Sequence, residues 1–264
     1  MKLGFIGAGN MAKAMLGGII GSNLIAKEEI IASDAYLPSL EAAKKELGIN
    51  ITTNNIEVAS NCEVVVLAVK PQFYASVIEE IKDVISENTI IVTIAPGQTL
   101  ERLKGQFGKN VKIVRCMPNT PAMVNEGMTA AVPNEFVTKE ESAYICSLLD
   151  GFGKSAIVKE YMMDGVVAVS GSAPAYVFMF IEALADGAVR SGMPRVDAYK
   201  FAAQAVLGSA KMVLETGKHP ADLKDMVCSP AGTTIEAVAV LEQEGFRNAV
   251  LAAMDACVKK ASSM

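Results

Sequence analysis

Tryptophan, basic clusters and all but one histidine are missing from this sequence of 264 residues. The 24 Lys and Arg residues are scattered, and the net charge is −5. Nucleic-acid binding needs a basic stripe to contact phosphates, so no nucleic-acid partner is predicted. The sequence has no G-x-S-x-G or H-E-x-x-H pattern, which excludes two common hydrolytic sites. We expect His219, the single histidine, to be structural or exposed.

Paired cysteines are also absent. The five cysteines are odd in number and widely spaced, and no C-x-x-C pair occurs. This pattern favours reduced thiols in a cytosol over a disulfide framework or a zinc site, and no metal centre is predicted. The five are Cys62, Cys116, Cys146, Cys228 and Cys257.

Long hydrophobic runs are missing as well. The apolar segments near Val64, Ile90 and Ala175 are short and interrupted by charge, proline or glycine, so we expect no transmembrane span. The N-terminal segment is apolar, but Lys13 interrupts the core that a signal peptide needs. We therefore predict a cytoplasmic protein with no membrane partner.

Short apolar runs alternate with helical patterns through the first half of the chain. Such an alternation predicts a parallel sheet that is covered by helices on both faces. The predicted strands are residues 3–6, 30–33, 63–68, 89–94, 111–115 and 128–132, and the clearest predicted helices are 10–21, 38–47 and 72–86.

The pattern changes near residue 160. Beyond it the sequence consists of Ala- and Met-rich helical stretches, and no strand is predicted. We divide the chain into an α/β domain, residues 1–160, and an all-helical domain, residues 161–264. The predicted helices of the second domain are residues 173–191, 197–216 and 233–241, with a last one from about 245.

The segment Gly7-Ala8-Gly9-Asn10-Met11-Ala12 follows the first strand and opens the first helix. It fits G-x-G-x-x-A, in which Gly7 allows a tight turn, Gly9 lets the backbone approach a pyrophosphate and Ala12 lets helix and strand pack. The free N–H groups of the helix N-terminus attract phosphates. A glycine turn without a ligand is the alternative, but the order of strand, motif and helix favours an N-terminal Rossmann-type dinucleotide-binding domain.

Asp34 ends the second predicted strand. An acidic residue there usually accepts hydrogen bonds from the ribose 2′-OH of NAD and repels the 2′-phosphate of NADP. Asn55 is a second candidate contact to the adenosine ribose. An ordinary solvated loop aspartate is an equally good interpretation of Asp34, so the predicted cofactor is NADP(H) or NAD(H).

Three polar segments with Pro or Gly stand out from the apolar background. Residues 68–72 follow a central strand, at the sheet edge where open parallel sheets bind ligands. Residues 117–121 occupy an equivalent position, and a rigid turn capped by Asn119 is favoured over a ligand role. Residues 229–234 place small hydroxyl side chains at a helix start, which suits a carboxylate, although a simple N-cap is the alternative.

No general acid or base is evident. Dehydrogenases that act on alcohols usually need one, such as His, Lys or Tyr. An imine substrate relaxes that need, because it can arrive protonated and accept hydride directly. Catalysis is then mainly alignment of cofactor and substrate, with a neutral donor such as Thr234 on the ring nitrogen.

Six blocks of the sequence together resemble the pyrroline-5-carboxylate reductases across essentially the whole chain. The resemblance implies NAD(P)H-dependent reduction of 1-pyrroline-5-carboxylate to L-proline, the final step of proline biosynthesis. It also implies that the helical domain binds substrate and pairs with a second copy, in a homodimer or a decamer-like assembly of dimers. The blocks are FIGAGNMA, LAVKPQ, RCMPNTPA, VSGSAPAYVFMFIEALADGAV, FAAQAVLGSAKMVLETG and LKDMVCSPAGTTIEAV.

The functional residues of the family can be carried over by position. The implied cofactor contacts, with Asp34 added from its place after the second strand, are Ile6, Gly7, Ala8, Gly9, Asn10, Met11, Asp34, Asn55, Ala68, Val69, Lys70, Pro71 and Ala95. The implied substrate contacts are Val227, Ser229, Gly232, Thr233 and Thr234, and Thr234 is the implied catalytic residue, hydrogen-bonded to the ring nitrogen.

Three positions depart from the family pattern. Pro96 stands where a second alanine is common, Ala231 replaces a usual glycine, and Asp34 replaces a small or polar residue. A different class, the β-hydroxyacid dehydrogenases, shares this two-domain plan but relies on a lysine of the helical domain. The candidates for that role are Lys200, Lys211 and Lys224, which we expect to be surface or cap residues.

Overall fold

The structure is a computed structural model that describes residues 2–263. Two compact units make up the chain. The first runs to Gly171 and includes the segment from Val258 onward, and the second is Ser172–Cys257.

The first unit is built on one eight-stranded sheet with the order β3-β2-β1-β4-β5-β6-β7-β8. The first six positions reproduce the doubly wound order in which dinucleotides bind where the strand order reverses, here between β1 and β4. The strands are β1 Leu3–Ile6, β2 Ile30–Ser33, β3 Asn50–Thr52, β4 Val64–Leu67, β5 Ile90–Thr93, β6 Lys112–Met117, β7 Gly127–Pro133 and β8 Gly153–Ile157.

Helices cover both faces of this sheet, as the alternating pattern predicts. Successive side chains of a strand point to opposite faces, so Val64 and Val66 lie in one apolar cluster and Val65 and Leu67 in the other. The helices are α1 Asn10–Gly21, α2 Leu37–Leu47, α3 Asn55–Asn61, α4 Tyr74–Ile81, α5 Leu100–Phe107, α6 Lys139–Asp150 and α7 Met163–Val166. Residues of α1, α2 and α6 belong to the first cluster, and residues of α3, α4 and α5 belong to the second.

The sheet is mainly parallel, as predicted, and one strand pair is antiparallel. β7 runs antiparallel to β6, while the remaining pairs are parallel. The connection between β6 and β7 holds only a short 3-10 helix, Thr120–Val124, and a parallel crossover needs a longer segment, usually with an α-helix. The short strands β3 and β8 were not predicted, because three to five half-exposed residues carry little hydrophobic pattern.

The second unit, Ser172–Cys257, consists of helices joined by short connections and contains no strand, as predicted. Its buried core is small and centres on Ala185, Ala198 and Ala202. Large apolar side chains remain exposed, among them Phe201 at 67% and Leu214 at 84%. Exposed apolar surface on this scale marks an interaction surface. The helices are α8 Ala173–Arg190, α9 Arg195–Thr216, α10 Pro220–Val227, α11 Thr233–Gln243 and α12 Phe246–Ala261, whose last residues belong to the first unit.

One helical stretch meets the length and composition of a membrane span. It is Glu160–Arg190, 31 residues with a mean hydropathy of 1.5 over an 18-residue window. Within it, α8 begins anew at Ala173, with Pro174 in its first turn. A single such helix is weak support for a membrane span, because helices at protein interfaces meet the same criteria.

Gly18 of α1 has no space for a side chain, whereas its neighbour Gly17 has. A Cβ at Gly18 would lie 2.5 Å from the Phe152 Cβ, while one at Gly17 would make an ordinary 3.9 Å contact with Leu47. We expect Gly18→Ala to destabilise the protein by about 1–3 kcal/mol through overpacking, and Gly17→Ala to stabilise it by up to about 1 kcal/mol through helix propensity. Urea-unfolding midpoints at one fixed protein concentration measure both. An unchanged midpoint for Gly18→Ala would contradict this packing.

Candidate functional site

A glycine turn at the carboxyl end of β1 is the first part of the site. Gly7 has a φ of +106°, and a Cβ there would lie 2.6 Å from the carbonyl oxygen of Ala68. Its N–H donates to the Ser33 carbonyl at 2.7 Å. Only glycine combines this backbone angle with so close an approach, and the turn therefore joins the ends of β1, β2 and β4.

The N-terminus of α1 is open to an anion. Gly9 is its N-cap residue, so no side chain caps the first turn, and that turn holds no acidic residue. A Cβ at Gly9 would meet no atom within 4 Å. Free N–H groups beside open space fit a dinucleotide pyrophosphate, which approaches the backbone closely at this point.

The carboxylate of Asp34 is hydrogen-bonded to the glycine turn after β1. Its Oδ2 accepts a 2.7 Å hydrogen bond from the Ala8 N–H, and its Oδ1 accepts a 2.8 Å bond from the Tyr36 N–H. The residue is half-buried. The carboxylate of Asp34 is therefore bonded to the backbone on both oxygens and is only partly solvated.

Asn55 is the first residue of α3, and both ends of its amide are engaged within the protein. Its Oδ1 accepts a 2.7 Å bond from the Ser33 hydroxyl, and its Nδ2 donates to Glu80 at 2.8 Å. Asn55 therefore lies beside the end of β2, the strand that carries Asp34.

Residues 68–71 follow β4 and face the glycine turn. The Ala68 N–H donates to the Ile6 carbonyl at 2.8 Å, while Lys70 is exposed. Sequence reasoning missed the residue beneath this loop, Tyr74, whose hydroxyl donates to the Leu67 carbonyl at 2.6 Å. Burial raises the pKa of Tyr74, so its hydroxyl stays a donor. The only sequence signal was a tyrosine on the buried face of an amphipathic helix.

Ala95 follows β5 at the same sheet edge and is buried, with Gly97 beyond it at a φ of +74°. The structure thus places the predicted cofactor residues together. They lie at the carboxyl ends of β1, β2, β4 and β5 and on the first residues of α1 and α3.

Asn119 has a structural role. Its Oδ1 accepts a 2.8 Å bond from the Met128 N–H, and its Nδ2 donates to the Ser170 carbonyl at 3.1 Å. The side chain is buried. Asn119 thus connects this turn to β7 and to Ser170, and the predicted cap by its side chain is not observed.

The second unit holds a tight turn before α11. The Gly232 N–H donates to the Ser229 carbonyl at 3.0 Å, which closes a four-residue turn with proline in second place. Ala231, in third place, has a φ of 55°. Glycine is favoured at this angle, and another residue costs about 1–2 kcal/mol. The departure at Ala231 therefore introduces strain into this turn.

Gly232 is the N-cap of α11, and no side chain caps that helix. A Cβ at Gly232 would lie 2.3 Å from the Ser229 Oγ, so a larger residue there would require the Ser229 side chain to move. Thr233 is exposed and Thr234 half-buried, and within residues 2–263 neither hydroxyl has a hydrogen-bond partner. Val227 ends α10 and is 63% exposed. Two hydroxyls and uncapped N–H groups form a neutral donor set that suits a carboxylate.

The helical-domain lysines are poor acid–base candidates. Lys200, Lys211 and Lys224 each lie beside a carboxylate, at 3.8, 3.4 and 2.6 Å. The hydrogen bond that Lys224 donates to Asp225 raises the pKa of Lys224, whereas a lysine base needs a lowered pKa. His219 is exposed, and its Nδ1 accepts from the Ala221 N–H at the start of α10, a structural role as expected.

Comparison with known proteins agrees with this arrangement. Residues 160–264 match the family model described as pyrroline-5-carboxylate reductase dimerisation. Residues 2–97 match one described as NADP oxidoreductase, coenzyme F420-dependent. Together the two matches cover the glycine turn, Asp34 and the turn before α11.

Individual relatives extend along the whole chain. A solved pyrroline-5-carboxylate reductase from Coxiella burnetii superposes with a TM-score of 0.93 at 37% identity, covering 99% of this chain and 97% of its own. A pyrroline carboxylate reductase from Plasmodium falciparum, solved with NADP bound, gives a TM-score of 0.89 at 33% identity, covering 100% and 97%. The pyrroline-5-carboxylate reductase of Escherichia coli K12 is 51% identical over 263 residues, 100% of this chain and 98% of that protein. The chain therefore belongs to the pyrroline-5-carboxylate reductase family.

Proposed function

We propose that this protein reduces 1-pyrroline-5-carboxylate to L-proline with NAD(P)H, the final step of proline biosynthesis. The observation that carries the proposal is the 51% identity to the Escherichia coli reductase over the full chain. The glycine turn and the turn before α11 support it, because they provide one site for a dinucleotide and one for a carboxylate.

The cofactor end of the proposed reaction belongs to residues 1–160. A reduced nicotinamide, when bound, supplies the hydride. The chain holds the pyrophosphate on the α1 N-terminus beyond Gly9, and Asp34 and Asn55 lie where the adenosine ribose is expected. The contacts we assign to the cofactor are Ile6, Gly7, Ala8, Gly9, Asn10, Met11, Asp34, Asn55, Ala68, Val69, Lys70, Pro71 and Ala95.

The substrate end belongs to residues 161–264. We assign the substrate carboxylate to Ser229, Gly232 and Thr233, with Val227 nearby, because a helix N-terminus without a side-chain cap favours an anion. The Thr234 hydroxyl holds the ring nitrogen. A protonated imine needs no further proton when its carbon accepts hydride, which agrees with the lack of an acid–base residue in this unit.

The exposed apolar surface of the second unit supports an assembly. We propose that this surface pairs with a second copy, and that dimers join in a larger, decamer-like assembly in the cytoplasm. Pairing also explains the apolar Glu160–Arg190 stretch without a membrane. Light scattering that returned the 27.8 kDa mass of one chain would contradict this assembly.

The proposed reaction is tested by following the loss of reduced-nicotinamide absorbance with pyrroline-5-carboxylate, in parallel with NADPH and NADH. We expect rapid oxidation with at least one of the two cofactors. A β-hydroxyacid with the oxidised cofactors serves as the control substrate, and no turnover is expected with it. If folded protein turns over the hydroxyacid but not pyrroline-5-carboxylate, the proposed reaction is contradicted and the hydroxyacid dehydrogenase alternative is supported.

Thr234→Val removes the hydroxyl and keeps the shape of the side chain. We expect kcat to fall on the order of 10²-fold, the usual effect of losing one donor that acts in the transition state. Cofactor affinity should change little, because only the substrate end is altered. Thr234→Ser keeps the hydroxyl and is the matched control, in which most activity should remain. Full activity in Thr234→Val would remove this residue from the mechanism.

Lys224→Ala tests the hydroxyacid dehydrogenase alternative. Because the lysine lies beside Asp225 and its pKa is raised, we expect kcat/KM for pyrroline-5-carboxylate to stay within about 2-fold of wild type, as for a surface charge. Loss of turnover with an unchanged circular dichroism spectrum would instead support a lysine acid–base mechanism.

A further inference from the structure

Asp34 is fixed more firmly than its position in a loop suggests. Each carboxylate oxygen accepts one backbone N–H, from Ala8 at 2.7 Å and from Tyr36 at 2.8 Å. The carboxylate thus connects the glycine turn with the loop between β2 and α2. Each oxygen has a second lone pair, so the group can still accept a hydrogen bond from a ligand.

The charges around this carboxylate are unsuited to a second anion. Residues 34–43 include no Lys or Arg, and the first cations of α2 are Lys44 and Lys45 in its last turn. The Asn55 amide, a neutral donor at the same strand end, is already bonded to Glu80. A 2′-phosphate is usually bound by a cation, and this segment provides none before the last turn of α2.

An exposed aromatic ring lies next to the carboxylate. Tyr36 is 64% exposed, and its backbone N–H is the one that holds Asp34. An aromatic face at the end of β2 suits the adenine of a dinucleotide. Ribose and adenine contacts therefore come from one short loop.

We propose that Asp34 makes this protein prefer NADH over NADPH, by accepting a hydrogen bond from the ribose 2′-OH and repelling a 2′-phosphate. The inference rests on the cofactor part of the proposed function. The proposed preference for NADH would distinguish this chain from the Plasmodium falciparum relative, whose structure was solved with NADP bound. The expected preference in dissociation constants is roughly 10-fold or more, since two like charges oppose each other at hydrogen-bond range.

Binding is the appropriate readout, because it needs no substrate. The chain has no tryptophan, so the fluorescence of the bound reduced nicotinamide can be followed without interference from tryptophan. We expect wild type to bind NADH more tightly than NADPH. In Asp34→Ser the ratio of the two dissociation constants should shift toward NADPH by roughly 10-fold or more, because the repelling charge is gone.

Two further variants separate charge from structure. Asp34→Asn keeps one oxygen acceptor for the Ala8 N–H but loses the charge, so the ratio should shift in the same direction. Glu41→Gln removes a charge from exposed α2 surface and is the matched control, in which the ratio should not change. If both Asp34 variants weaken the two cofactors equally, the carboxylate only braces the glycine turn and the proposal is overturned.

A measurement on wild type alone covers the case in which the Asp34 variants do not fold. AMP and its 2′-phosphorylated analogue, 2′,5′-ADP, compete with NADH for the site. We expect AMP to compete more strongly, and stronger competition by 2′,5′-ADP would overturn the proposal. If the protein binds NADH more tightly but does not oxidise it with pyrroline-5-carboxylate, the proposed reaction is contradicted. The inference about Asp34 then still holds, because it concerns cofactor binding alone.

Discussion

The geometry of the predicted dinucleotide site depends on the close approach of Gly7 to the backbone of Ala68. No side chain fits between them, so the ends of β1 and β4 come together where the strand order of the sheet reverses. The same turn bonds to Ser33 and, through Ala8, to Asp34. The open N-terminus of α1 and the loop after β4 are therefore held relative to one another by backbone contacts, which tolerate little sequence change.

The two units are stabilised in different ways. The first has two large apolar clusters, one on each face of a buried, mainly parallel sheet, and a smaller third cluster; such burial is the usual source of stability in α/β domains. The second buries only a few alanines and exposes large apolar side chains. Because its own core is small, its stability depends on covering that surface, and assembly and folding are linked in this part of the chain.

Each predicted ligand site contains a feature that destabilises the local backbone. At the cofactor end, backbone N–H groups of the first turn of α1 remain uncapped. Before α11, Ala231 adopts a backbone angle that favours glycine, and Gly232 leaves that helix uncapped. Uncapped helix ends and strained turns persist where surrounding structure holds them, and they are concentrated at binding sites. Both candidate sites offer backbone N–H groups at an uncapped helix start.

Many of the helices and strands of the first unit could be predicted from the local sequence. The helix Asn10–Gly21 and the strands β1 and β2 were predicted at their observed bounds, because periodicity and glycine position are local signals. The blocks that resemble the reductase family gave the positions of both sites. Short half-exposed strands such as β3 and β8 carried no such signal.

The sequence by itself determined which residues lie at strand ends and helix starts, and hence the order of a dinucleotide site and a carboxylate site along the chain. Only the tertiary structure decided what those side chains contact. Asp34 bonds to Ala8 across 26 positions and Asn55 to Glu80 across 25, while β7 reverses against β6. Such pairings depend on which strands become neighbours, and strand order results from packing the whole sheet, which no local pattern encodes.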